Sequence, residues 1–243
     1  MINNRIVLLF VVLIGACSMP VKETVIQEAN QVDLEKTQLD GIWVGSFDIR
    51  GRGPFDFFAI HVGGRSTAVS YKAKAMCFGQ VSQNEGYYYA KYNLYALDGS
   101  HFDYARLTGE IKDNQIQSHF TTLNGGDTGR LQLSYSDLYE QPSSLELLEG
   151  EWSFTDRDNL EFNFTIKDGV INGADSDDCK YLGNVSLINP QYNAYEVILN
   201  ISNCASVNGE YHGLSYIDNK QAIYFRVDIG NDLYGFHYDF EKK

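Results

Sequence analysis

The chain has 243 residues, and its 32 Asp and Glu against 19 Lys and Arg give a formal net charge of −13. A surplus of carboxylates repels nucleic acid, because phosphates are bound by clustered Lys and Arg. Hydrophobic residues make up 44% and aromatic residues 14% of the chain, which excludes a disordered protein. This length accommodates one large β domain or two small ones.

The first sixteen residues have the pattern of an export signal. Arg5 supplies a positive charge, and an unbroken run of nine apolar residues covers 6–14. A membrane-spanning helix needs about 20 such residues, so this run has the length of a signal-peptide core. Residues 13–17, LIGAC, resemble the lipobox of bacterial lipoproteins. An ordinary secreted protein with a chance cysteine is the alternative.

The lipobox resemblance implies that residues 1–16 are a signal peptide and are removed. It also implies that Cys17 is lipidated, with a diacylglyceryl group on sulfur and a further acyl chain, such as palmitate, on the new amino terminus. After this removal 18 basic residues face 32 acidic ones, and the formal charge becomes −14. Ser18, rather than Asp, follows the cysteine and implies the outer membrane. Several acyl chains anchor a protein firmly.

Residues 17–38 predict a lipidated tether, because 18–38 contain no glycine and no aromatic residue. A partly helical spacer over 23–36 is the alternative. The chain then repeats itself: LDGIWVGSF at 39–47 corresponds to LEGEWSF at 148–154, and FGQVS at 78–82 to LGNVS at 182–186. These and three shorter matches have offsets between 104 and 109. We therefore predict two homologous units.

The repeat places the units at 39–136 and 148–243, joined by a linker over 137–147 that contains a Pro and a Ser pair. Residues 160–167, LEFNFTIK, alternate apolar and polar, as half-buried strands do, and similar alternation recurs up to residue 240. Short turns between strands force antiparallel neighbours. We predict an all-β fold in which each unit is an antiparallel meander closed into a small up-and-down barrel. A β-sandwich is the alternative.

The Gly-x-Trp that opens each unit, at 41–43 and 150–152, resembles the first strand of lipocalin-like and avidin-like barrels. The spacing of Gly173, Cys179, Gly183 and Cys204 also resembles a repeat in uncharacterised bacterial lipoproteins. This second resemblance covers most of 148–243 and implies no particular activity. The first unit lacks the cysteine pair.

Cys179 and Cys204 are equidistant from the turn at 189–193, so we expect them to face each other across a hairpin. An exported protein meets oxidising conditions, which favour a disulfide between them. A redox or metal pair is the alternative, but no Cys-x-x-Cys and no nearby His supports it. Cys77 then has no partner in the chain, and we predict a buried free thiol.

Motifs for catalysis are not found. The five histidines are all more than four residues apart, and the sequence contains no Gly-x-Ser-x-Gly elbow and no phosphate-binding glycine loop. Residues 175–178, DSDD, offer oxygen ligands for Ca²⁺, but the rest of an EF-hand loop is missing, which favours an acidic turn. We therefore expect no enzyme activity, no metal and no cofactor.

Two aromatic segments are candidates for a partner surface. Tyr87, Tyr89 and Tyr95 share one face of a predicted strand, and tyrosine offers rigid contact area for a protein or a glycan. Phe55 and Phe57 belong to a run, 55–62, that is apolar on both faces. One face of that run should fill the core, and the other should pack on the second unit or on a partner. The alternative is that the tyrosines line a barrel wall.

These features predict a lipoprotein of the outer membrane with a non-enzymatic role in binding or envelope assembly. Its partners would be the membrane, through the lipid, and an envelope protein or glycan. Carriage of a small apolar ligand inside a calycin-like barrel is the alternative, and a hydrolase with paired carboxylates is a more distant one. We expect both barrels to be nearly full.

Overall fold

The computed structural model describes residues 36–156, 159–219 and 223–243. The predicted signal peptide 1–16, Cys17 and most of the predicted tether lie outside the described residues. Within those ranges, no helix combines the length and the apolar character needed to cross a membrane. The described chain is built from β-strands with three short 3₁₀ helices.

The first eight strands form one closed antiparallel barrel, in which each strand pairs with the next and the last pairs with the first. The strands are β1 (Gly41–Ile49), β2 (Arg52–Val62), β3 (Arg65–Ser70), β4 (Ala75–Asn84), β5 (Tyr87–Ala96), β6 (His101–Lys112), β7 (Gln115–Thr122) and β8 (Thr128–Ser136). The closing seam between β1 and β8 contains six consecutive residue pairs, from Ile42↔Ser136 to Phe47↔Leu131.

The next eight strands form a second closed antiparallel barrel of the same topology. They are β9 (Gly150–Thr155), β10 (Glu161–Lys167), β11 (Val170–Asp175), β12 (Lys180–Leu187), β13 (Tyr195–Ser202), β14 (Gly209–Asp218), β15 (Tyr224–Gly230) and β16 (Gly235–Lys242). Its seam, between β9 and β16, contains two pairs, Glu241↔Ser153 and Lys242↔Trp152. The predicted fold class, two tandem up-and-down barrels, is confirmed.

An identical tryptophan contact at the start of each barrel confirms the internal repeat. The indole N–H of Trp43 donates to the carbonyl of Leu39 at 2.9 Å, and that of Trp152 donates to the carbonyl of Leu148 at 2.8 Å. Both rings are fully buried. Each bond joins the barrel interior to the chain that enters it, so a large apolar ring closes one end and its polar atom is satisfied.

Corresponding glycines mark where neighbouring strands approach most closely. A Cβ at Gly79 would lie 1.9 Å from the carbonyl oxygen of Lys91, and one at Gly183 would lie 2.1 Å from that of Ile198. These two glycines are matched by the repeat offset of 104 residues. Glycine in a strand interior permits the sharp bend that a small barrel requires.

The predicted disulfide is confirmed. Cys179 and Cys204 are bonded, with their Cα atoms 4.7 Å apart, just beyond the last β12–β13 pair, Lys180↔Ser202. The bridge holds together the open ends of the hairpin that the sequence predicts. Cys77 has no disulfide partner among the described residues and is half-buried.

A third apolar cluster lies between the barrels. The connecting segment contains 3₁₀ helices at Asp137–Glu140 and Leu145–Leu147, and Leu138 and Tyr139 of the first are buried. They pack with Ile60 and Val62 on the outer face of the first barrel, and with residues of the second barrel that include Leu214. The outer face of the run 55–62 therefore packs on the second unit, as one of the two alternatives predicted.

A buried polar network also joins the barrels. Both ring nitrogens of His237 are engaged: Nδ1 lies 2.6 Å from an Asp228 carboxylate oxygen and Nε2 lies 2.8 Å from the Tyr71 hydroxyl. Tyr71 in turn donates to Asp239 at 2.6 Å, and Thr67 donates to Asp228 at 2.9 Å. Tyr71 and Thr67 belong to the first barrel, and the other three residues to the second, so the network ties the two together.

We predict that this network weakens the protein at alkaline pH. Burial alone lowers the pKa of His237, but the charges and hydrogen bonds of Asp228 and Asp239 outweigh it and raise that pKa from 6.5 to about 9. The stabilisation is therefore complete below pH 6.5 and is lost as the pH rises through about 9. The melting temperature should fall less between pH 7 and pH 10 in His237→Gln than in the natural chain. His212→Gln, at an exposed histidine, is the control, and its melting temperature should fall as much as that of the natural chain. An equal fall of the melting temperature in all three proteins contradicts the prediction.

Candidate ligand cavity in the first barrel

The two barrels share a topology but differ in what fills them. Nine aromatic side chains belong to the buried core of the second barrel, and four belong to that of the first. The first core instead contains four alanines, whereas the second contains none among its described residues. The alanines are Ala59, Ala68, Ala90 and Ala105. Each sheet is hydrogen-bonded into a closed ring, so the barrel cannot contract around smaller side chains. Alanines in its interior therefore leave empty space.

A cavity of about 290 Å³ lies inside the first barrel, whereas the corresponding space inside the second is about 20 Å³. The first-barrel cavity is lined by apolar side chains from seven of the eight strands, together with a few polar groups. Lining residues include Phe47, Phe57, Cys77, Tyr92, Leu94, Phe102, Ala105, Leu107, Phe120 and Leu131. The expectation that both barrels are nearly full is therefore wrong for the first barrel and correct for the second.

The cavity lies at the end of the barrel that carries the β1–β2, β3–β4, β5–β6 and β7–β8 turns. Ile49, Ala73 and Thr122, which line it, sit at or beside these turns. Phe102 also lines it and is 51% exposed, so the cavity communicates with solvent at this end. The opposite end is filled by Trp43. The site is thus a pocket inside the barrel that opens at the turn end.

The repeat explains which substitution opens the space. FGQVS in the first unit matches LGNVS in the second at an offset of 104, so Cys77 occupies the position of Tyr181. Tyr181 is buried in the second core, where its hydroxyl donates to Asp175 at 2.7 Å. A thiol in place of a phenol removes an entire ring from the interior. By the same offset Leu107 stands where the second barrel has Tyr211.

A small polar chain sits at the inner wall of the cavity. The hydroxyl of Tyr92 lies 2.7 Å from the Ser66 hydroxyl and 3.4 Å from that of Tyr88. Burial raises the pKa of Tyr92, so its phenol is neutral at physiological pH. Burial likewise lowers the pKa of His61 to about 4, and this ring, stacked near Tyr88, is neutral at pH 7. The interior therefore offers hydroxyl groups and no net charge near these residues, which suits an uncharged ligand.

The three tyrosines predicted as a partner surface differ in their exposure to solvent. Tyr87 and Tyr89 are 53% and 43% exposed on the outer face of β5. Tyr95 is on the same face but is completely buried, because the second barrel covers that end of the strand, and its hydroxyl donates to the carbonyl of Asn231 at 2.7 Å. Its assignment to an exposed surface is therefore wrong, since strand periodicity gives a face but not what covers it.

The two phenylalanines predicted for that surface are also displaced from it. Phe57 is buried inside the first barrel, and the half-buried Phe55 packs against Phe47 with the ring centroids 5.3 Å apart. Because odd-numbered residues of β2 face the interior here, Phe57 lines the cavity instead of meeting a partner. The assignment of Phe57 to an exposed surface is corrected accordingly.

The acidic turn at 175–178 is organised by its own backbone. One carboxylate oxygen of Asp175 accepts the N–H groups of Asp177 and Cys179, each at 3.0 Å, and the other accepts the Tyr181 hydroxyl. Asp175 is therefore a buried turn residue whose oxygens already have protein donors. Cys179 and Cys204 lie beside it, but both sulfurs are committed to the disulfide.

The chain matches no protein-family model, no curated protein and no solved structure. The lipobox and lipocalin-like resemblances consequently rest on the residues of those motifs alone, and the evidence for function is the geometry of the chain itself.

We predict that the Cys77 thiol is unreactive at neutral pH. Burial, together with the negative charge of Asp228, raises its pKa from 9.0 to about 12. Only thiolate reacts with iodoacetamide, so at pH 8 the folded protein should react about a thousandfold more slowly than the unfolded chain. The measurement is mass-spectrometric alkylation of residues 36–243, in which Cys77 is the one thiol outside the disulfide. Equal rates in the folded and unfolded states would contradict it.

Proposed function

We propose that this protein is an envelope lipoprotein that binds a small apolar molecule, without catalysis, inside its first barrel. The contrast between the two interiors supports this proposal most strongly: the cavity volume is about 290 Å³ in the first barrel and about 20 Å³ in the second. The first volume is close to the lower end of small-molecule pockets, which begin at about 300 Å³. The second barrel, filled with aromatic rings and cross-linked, serves as the rigid partner of the first.

The lining supports an apolar ligand with at most one or two uncharged polar groups. Phe47, Phe57 and Leu131 provide apolar contact, and burial of their surface and of the ligand's is worth about 25 cal/mol per Å² before the costs of association. Tyr92 presents a neutral hydroxyl at the inner wall. Asp127 lies at the mouth, beyond the apolar zone.

The test is binding of the fluorescent probe 1-aminoanthracene to residues 36–243, which contain both closed barrels. We expect one site per chain and increased probe fluorescence. Cys77→Tyr and Leu107→Tyr place the second barrel's own residues in the cavity and should abolish binding, because their rings occupy the volume that the probe needs.

Cys77→Ala is the matched control, since it changes the same position without filling the space, and it should bind the probe as the natural chain does. Thermal unfolding of every variant separates a filled cavity from a failure to fold. Binding that survives in a folded Cys77→Tyr and a folded Leu107→Tyr would reject the first-barrel site.

A role in envelope assembly is the second candidate, and the exposed pair Tyr87 and Tyr89 supports it. Neighbouring aromatic side chains on an outer strand face offer rigid contact area to a protein or a glycan. If the folded protein binds no apolar probe, this second candidate becomes the favoured one.

The proposed location is the outer membrane, through lipid on Cys17. We expect the natural chain, expressed in a bacterium with lipoprotein processing, to incorporate labelled palmitate and to fractionate with the outer membrane. Cys17→Ala removes the acceptor sulfur and should abolish both. Cys77→Ala is the control and should leave both unchanged; label that remains in Cys17→Ala would contradict the assignment.

A further inference from the structure

A second, larger space lies between the barrels, on the outside of both. This inter-barrel cleft has a volume of about 580 Å³. Its floor is the outer face of β3–β6, and its wall is formed by β14 and the turn between β15 and β16. It is distinct from the cavity inside the first barrel, which opens at the turn end and faces inward.

The cleft is basic in an acidic protein. Arg65, Lys91 and Arg106 line it, and Asp232 is the one carboxylate residue among its lining residues in the part of the chain that the structure describes. The chain as a whole has 13 more acidic than basic residues. The positive side chains attract anions into this concavity, whereas the rest of the acidic surface repels them.

Strand register places these charges in one row. Arg65 pairs with Gln80, Gln80 with Lys91, and Lys91 with Arg106 across β3, β4, β5 and β6. Lys91 and Arg106 are thus direct cross-strand neighbours on the same outer face. Like charges in that position destabilise a sheet. An anion between them would relieve the repulsion.

Neither the ammonium of Lys91 nor the guanidinium of Arg106 makes a hydrogen bond or ion pair with any residue in the described ranges. Other arginines of the protein have carboxylate partners: Arg50 pairs with Asp127, and Arg65 pairs with Glu196 of the second barrel. The two unpaired charges of the cleft therefore lie side by side on its floor, where an anionic group can reach both of them at once.

The remaining lining groups are suited to a hydroxyl-rich ligand. The side-chain amides of Gln80 and Asn93 supply both donors and acceptors, and the ring of Tyr104 is 45% exposed. The volume is also far larger than a bare phosphate requires. An apolar molecule would desolvate these amides without replacing their hydrogen bonds.

We propose that the inter-barrel cleft binds an anionic saccharide. Its phosphate or carboxylate group would lie between Lys91 and Arg106, where the guanidinium donates a pair of parallel hydrogen bonds and the ammonium acts as a point charge. Its sugar ring would lie against Tyr104 and the amides. The proposal is independent of the ligand in the first barrel.

The experiment is calorimetric titration of the full chain, held in a non-ionic detergent, with glucose 6-phosphate, glucuronate, inorganic phosphate and glucose. We expect the two anionic sugars to bind more tightly than either phosphate or glucose alone. Lys91→Gln and Arg106→Gln should each weaken that binding by about tenfold or more, because each removes one charge-assisted contact. Their melting temperatures should not fall, since each variant also removes a like-charge repulsion.

Lys112→Gln is the matched control, because Lys112 is an exposed basic residue on the same strand as Arg106 but outside the cleft. It should bind the sugars as the natural chain does. If inorganic phosphate binds as tightly as the anionic sugars, the site does not recognise a saccharide. If glucose binds as tightly as they do, the site does not require an anion. Absence of binding by both anionic sugars, or unchanged binding in both cleft variants, would overturn the site.

Discussion

Closure of each sheet on itself is the constraint on which the rest of this molecule depends. A closed ring of eight strands has no free edge, so its backbone donors and acceptors are satisfied within the ring. Closure at this size demands close strand approach, which Gly79 and Gly183 permit, and a plug at one end, which Trp43 and Trp152 provide. Because the ring fixes the diameter, the side chains inside decide whether a barrel is solid or open.

The two copies show both outcomes on one frame. In the second barrel, Tyr181 packs against Phe162 and Tyr211 against Phe236, and the disulfide holds the β12–β13 hairpin at its open ends. In the first, Cys77 and Leu107 stand at those positions, and space remains. Loss of packing costs stability, since a cavity forfeits dispersion contacts. The frame tolerates that cost because its hydrogen bonds do not depend on the interior.

The outer surfaces of the barrels perform a separate task. An apolar cluster around Ile60 and Leu138 and a polar network around His237 hold the barrels together. Beyond these contacts the surfaces diverge and leave the basic cleft. Its charges come mainly from the first barrel, so joining two copies creates a site that one barrel alone would leave as an open sheet face.

The sequence alone determined the architecture, because strand alternation and short turns are local signals and the near-constant repeat offset appears on comparing the chain with itself. It also placed Cys179 opposite Cys204 from their distance to one turn. It could not determine the cavity or the burial of Tyr95. Alternation assigns Tyr95 and Lys91 to the same face of β5. Only the docking of the second barrel decides that Tyr95 is covered and that Lys91 stays exposed. The cavity likewise depends on side chains from many strands that meet in one interior. Its volume is set by the combined size of residues far apart in the chain, which no local pattern contains.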